Sequence, residues 1–69
     1  MFERCLCLTY PNMRGDDVKR LQNKLCHRGY WMELDGVFGE ITEKGLINFQ
    51  ASHGLKADGI LGAKTIGIL

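Results

Sequence analysis

The chain has 69 residues, 45% of them apolar and 25% charged, with a formal net charge of +1. That length holds one domain, and the composition is too apolar for a disordered chain and too interrupted by charge for a membrane span. A core of this size rarely supplies more than about 3–5 kcal/mol, which argues against an autonomous enzyme. The interleaved charges, with no long basic run around Lys19-Arg20, exclude a polyanion-binding face, so neither nucleic acid nor a membrane is expected as a partner.

Residues 1–14 read as an extended segment packing on a domain formed by residues 15–69. Met1 to Cys7 contain no apolar run of signal-peptide length, so no export address is expected here. Leu6, Leu8 and Tyr10 alternate with Cys5, Cys7 and Thr9, which puts the first three on one side, and Pro11 closes the segment. A first helix follows, with Asp16 or Asp17 as its N-cap and Val18, Leu21, Leu25 and Cys26 on one face. Lys24, His27 and Arg28 suit the negative end of its dipole, and Gly29 stands where a left-handed residue ends a helix. The aromatic step Tyr30-Trp31 then leads into a loop. A second helix is predicted from about Glu40 to Ser52, with Thr42, Gly45, Leu46 and Phe49 inward, Ile47 flanking, and Glu40–Lys44 as an outward i,i+4 pair. Gly54 ends it, and a short third helix from Ala63 to Leu69 turns Ile66 and Leu69 inward.

The most informative feature is a repeat. Asp35-Gly36-Val37-Phe38-Gly39-Glu40-Ile41-Thr42 returns 23 residues later as Asp58-Gly59-Ile60-Leu61-Gly62-Ala63-Lys64-Thr65. Leu21-Gln22 and Phe49-Gln50 stand upstream of the two copies. Two copies are too few for a solenoid and imply a pseudo-twofold domain whose halves complete one core. Each Asp is expected to form an Asx-turn with the following Gly at positive φ, and Phe38 and Leu61 to plug the core. Gly39 and Gly62 open the next helices, and Thr42 and Thr65 are placed to bond exposed amides or the preceding Asp. Gln22 and Gln50 have the donors and the acceptor to pin those loops.

Chemical motifs are otherwise sparse. Asp35 and Asp58 stand too isolated for a calcium loop, and Gly62-Ala63-Lys64-Thr65 lacks the upstream glycine of a phosphate loop. Cys26 and His27 are helix neighbours pointing about 100° apart, which rules them out as a nucleophile–base pair. Glu33 and Asp35 read as solvated loop residues rather than an acid and a base. Cys5, Cys7 and Cys26 read as reduced, partly buried thiols; their spacing does not suit zinc, and no metal or cofactor is expected. Tyr30 and Trp31, with Arg28 beside them, suit a sugar face and a carboxylate, although packing over a small core competes for both rings.

The ordered set Gly15-Asp16-Asp17-Val18, Leu21-Gln22, Leu25, Gly29-Tyr30, Asp35-Gly36, Phe38-Gly39, Thr42, Phe49-Gln50, Gly54-Leu55, Asp58-Gly59-Ile60, Gly62 and Thr65 resembles the peptidoglycan-binding domain of the PGBD-like superfamily, over about Leu8 to Leu69. The resemblance implies an all-α bundle of three helices and a non-catalytic module, extracellular or at the cell wall. It implies binding to peptidoglycan or muropeptide fragments and service to a catalytic hydrolase domain, with protein–protein docking on the same fold as the alternative. Arg28, Tyr30 and Trp31 are the candidate contacts. Gly45 stands where the family usually has Ala, Ala63 where Pro is frequent, and Ile66 where an aromatic is frequent. The three cysteines lie outside the family pattern.

Overall fold

In the computed structural model, residues 4–69 are described. They form three helices, α1 (Asp16–His27), α2 (Glu40–Ser52) and α3 (Ala63–Ile68), with no strand among the described residues and two isolated bridges, Leu6 to Leu61 and Arg14 to Val37. The fold is the all-α, three-helix arrangement expected.

Helix α1 turns Val18, Leu21 and Leu25 into the core, and α2 turns in Leu46 and Phe49. Phe38 and Leu61, at matching places in the two corners, are fully buried between them. Both helices end in the same way. Gly29 lies at φ 95° and Gly54 at φ 69°. The Tyr30 amide reaches back to the Leu25 carbonyl at 3.0 Å, and the Leu55 amide to the Gln50 carbonyl at 2.9 Å. The Gly29 and Gly54 amides bond the Cys26 and Ala51 carbonyls, which completes a Schellman cap at each end.

The N-terminal segment staples the two halves. The Leu6 carbonyl accepts from the Leu61 amide at 2.8 Å, and the Met13 carbonyl from the Phe38 amide at 2.8 Å. Leu6 itself is buried. The predicted alternation stops at Tyr10, which is 82% exposed. A local turn, with the Thr9 hydroxyl donating to the Pro11 carbonyl at 2.9 Å, breaks the extended register there. Cys5 is exposed, while Cys7 and Cys26 are half-buried, and all three thiols are free.

Other expectations need correction. The N-cap of α1 is Gly15, at φ 146°, without a side-chain capping bond. Asp17 lies inside the first turn, where its carboxylate accepts from its neighbour's Val18 amide and from Arg4, at 2.7 and 3.1 Å. Glu40 and Lys44 are both exposed without closing to an ion pair.

Met32, a loop residue, is 3% exposed and belongs to the core. Its Cε lies 2.5 Å from where a Cβ on Gly45 would stand. The glycine in the middle of α2 is thus the counterpart of a methionine that fills the missing methyl's place. Gly45→Ala is therefore expected to return less than the about 1 kcal/mol gained at an open helix position. The shortfall closes in Met32→Leu, which lacks the long arm; urea midpoints of the single and double variants measure the coupling.

Candidate functional site

Each Asp-Gly corner is locked by one glutamine. Gln22, 1% exposed on the inner face of α1, donates through Nε2 to Asp35 Oδ1 at 2.9 Å, the Val37 carbonyl at 3.1 Å and Thr42 Oγ1 at 3.0 Å. Its Oε1 accepts from the Gly36 amide at 2.9 Å. Gln50, equally buried on α2, repeats the pattern with Asp58 at 3.2 Å, Ile60 at 3.0 Å, Thr65 at 3.1 Å and the Gly59 amide at 2.9 Å. Both turns close as expected, with the Val37 and Ile60 amides donating to Asp35 and Asp58 at 3.0 Å each. Gly36 and Gly59 both take φ 73°, the positive value that a side chain would strain. The threonines answer the glutamines rather than capping backbone amides or meeting the Asp. None of the three helices has a side-chain N-cap bond.

The first corner, Tyr10 and Asn12 from the N-terminal segment, and the start of α2 enclose an open cleft of about 510 Å³. Buried Gln22, Met32 and Thr42 form its floor. Trp31, 80% exposed, and Ile41, 71% exposed, stand at its rim with Tyr10. Glu33, Asp35 and Glu40 also line it. Asn12 holds the wall by donating to the Phe38 carbonyl at 2.8 Å. A groove of about 520 Å³, sharing Glu40 and Ile41, continues between Leu8 and the outer face of α2.

The structure separates the three sequence-chosen contacts. Trp31 is at the cleft, whereas Arg28 and Tyr30 do not line it. Arg28 donates to the Ile68 and Leu69 carbonyls at 2.9 and 2.8 Å and lies 5.7 Å from the centre of the Phe49 ring. Tyr30 packs edge-on against that ring, and its hydroxyl donates to Ser52 at 3.0 Å. Arg28 thus joins the Ile68–Leu69 backbone to the Phe49 ring, and Tyr30 joins the loop after α1 to α2. Sequence reasoning missed Tyr10, Asn12 and Ile41 as cleft residues: the alternation placed Tyr10 with Leu6 and Leu8, and no local pattern marks the other two. The described residues hold no group of three or more potential metal ligands.

Asp35 is held below the ordinary carboxylate range by the Val37 amide and then by Gln22, and Asp58 by the Ile60 amide, with Gln50 adding less. Arg4 lowers Asp17 in the same sense. A carboxylate depressed in the folded state stabilises it above the unfolded value, and the benefit is lost as pH falls through the folded one. The urea midpoint is thus expected to drop on acidification from about pH 5 to 2. In an Asp35→Asn/Asp58→Asn variant, which keeps both turn acceptors, the drop should be shallower, with the Asp17–Arg4 pair leaving a remainder. Gln22→Leu strands the buried Gly36 amide, at about 1–3 kcal/mol for that group alone. Gln50→Leu should cost the same within error, because the two environments match; chemical denaturation of both variants checks the equality.

Residues 14–69 match the family described as "Putative peptidoglycan binding domain". The chain is 48% identical over 52 residues to a spore cortex-lytic enzyme of Bacillus cereus, covering 74% of this chain and 20% of that enzyme. It is 45% identical over 53 residues to the N-acetylmuramoyl-L-alanine amidase CwlM of Mycobacterium tuberculosis, covering 75% of this chain and 13% of that protein. The chain thus spans a fifth or less of the length of these curated relatives. The crystal structure of the SleB N-terminal domain superposes with a TM-score of 0.89 at 38% identity, covering 99% of this chain and 90% of that one.

Proposed function

This chain belongs to the peptidoglycan-binding domain family, and from that membership we propose that it is a non-catalytic module that holds an associated hydrolase on peptidoglycan, outside the cell at the wall. The family match, together with coverage of a fifth or less of a spore cortex-lytic enzyme and an N-acetylmuramoyl-L-alanine amidase, supports a binding part rather than a catalytic one. The observation that carries the surface assignment is the cleft with Trp31 and Tyr10 standing exposed at its edge. Flat rings give large contact area to a sugar ring or an acetamido group at small entropic cost. Exposed large rings on a monomeric surface cost little to folding and mark an interaction site when they cluster at a cavity. The adjoining groove past Ile41 lets a polymer run on beyond one sugar.

Arg28 and Tyr30 act in this reading as supports, since their polar groups are engaged within the fold. Sedimentation with purified sacculi separates the roles. Trp31→Ala is expected to lower the affinity roughly tenfold, the scale of a lost aromatic anchor, with an unchanged urea midpoint. Arg28→Ala is expected to loosen the chain end, lower the unfolding free energy by about 0.5–1 kcal/mol through the lost ring contact, and leave sacculus binding intact. Full binding by Trp31→Ala would remove the cleft as the wall surface. Failure of the parent chain itself to sediment with sacculi would turn the reading toward docking on another protein.

A further inference from the structure

The internal repeat builds two clefts on one frame and gives them opposite charge. A shift of 23 residues carries Asp35, Val37, Gly39 and Thr42 of the first cleft onto Asp58, Ile60, Gly62 and Thr65. These four line a smaller cleft of about 280 Å³ at the second corner. Those positions serve the frame. The rim positions do not, and there the halves part: Glu33 corresponds to Lys56, Glu40 to Ala63 and Ile41 to Lys64. Between the matching helix stops and the corners the second loop is two residues shorter than the first, and no aromatic ring lines the second cleft. The first cleft is lined by three carboxylates and by no Lys, Arg or His. Arg14 acts on Asp35, which is already bonded to Val37 and Gln22, and Lys44 lines the adjoining groove rather than the cleft. Glu33 and Glu40 are exposed and have no hydrogen-bond or ion-pair partner among the described residues.

Resting on the reading of this cleft as the wall surface, we infer that its ligand is a wall segment carrying a free primary ammonium beside an apolar face, such as the unlinked amine of a wall peptide. Trp31 covers the apolar part, and Glu33 and Glu40 receive the ammonium. A primary ammonium offers three donors and a full charge to carboxylates that are acceptors only. A ligand carboxylate at the same place would meet three like charges with no cation in the lining. Cross-linking or acylating the amine removes the charge and leaves one donor.

The test compares sedimentation of the full chain with native sacculi and with sacculi whose amines have been acetylated by acetic anhydride. Acetylation makes the wall more anionic, so general attraction to a chain of net charge +1 would strengthen binding. The inference expects the opposite, an affinity roughly fivefold weaker, the size of one partly exposed charge pair. Glu33→Gln/Glu40→Gln should bind both walls alike at the weaker level, whereas Lys56→Ala/Lys64→Ala should discriminate as the parent does. Equal binding of both walls by the parent chain, with Trp31→Ala still impaired, overturns the ammonium assignment and keeps the cleft. Discrimination that persists in Glu33→Gln/Glu40→Gln overturns the role of those carboxylates. Loss of neither wall in Trp31→Ala overturns the cleft itself.

Discussion

A carboxamide buried where a helix meets a loop holds this domain together, and it is made twice. Gln22 and Gln50 each present an acceptor to a glycine amide and donors to an aspartate, a carbonyl and a threonine. Glutamine suits the place because it alone combines donor and acceptor at the end of an uncharged arm of that reach. Glutamate would offer no donor and would set a second carboxylate against the aspartate. An aliphatic residue would leave the glycine amide buried without a partner. Buried polar networks stabilise only when every member is satisfied, and the described residues contain no buried side-chain polar atom without a partner.

That frame explains how a domain with three short helices can keep its loops in fixed positions without a sheet. The corners are tied to α1 and α2 by the glutamines, and to the N-terminal segment by the Phe38 and Leu61 amides. Rigidity therefore comes from polar bonds at the corners as much as from the apolar core. One consequence is a division of labour along the loop. Asp35, Gly36, Phe38, Gly39 and Thr42 are committed to the frame, whereas Trp31, Glu33, Glu40 and Ile41 project from it without structural obligations. A surface made from uncommitted positions on a rigid support can present rings and charges to a ligand at little cost in ordering.

Much of this was legible in the chain. The helix spans, the two glycine stops and the doubled corner follow from periodicity, local turn chemistry and the 23-residue repeat. Gln22 and Gln50 were legible from their donors and acceptor rather than from their spacing, which is 13 residues to Asp35 and 8 to Asp58. The departures share a physical cause. Met32 enters the core from an irregular loop, where no period marks an inward position, and it does so because Gly45 leaves room. The α1 cap falls at Gly15 rather than at Asp16 or Asp17, and the Asp17 carboxylate pairs instead with Arg4, thirteen residues upstream. The donors of Arg28 turn to carbonyls forty residues away at the chain end, a choice that no local pattern encodes.

The sequence by itself determined the doubled Asp-Gly corner, the glutamine that completes each copy, the all-α class and the family, since these depend on residue type and spacing alone. Tertiary structure alone decided which exposed groups share a cleft. Tyr10 and Asn12 share a cleft with Trp31 and Ile41 because the Met13 carbonyl and the Asn12 side-chain amide bind Phe38 across the fold, while Arg28 and Tyr30, within three residues of Trp31 in sequence, are drawn away to Phe49. Neighbours along a chain that leaves a helix through a left-handed glycine diverge in direction, and their partners are set by long-range hydrogen bonds that spacing does not reveal.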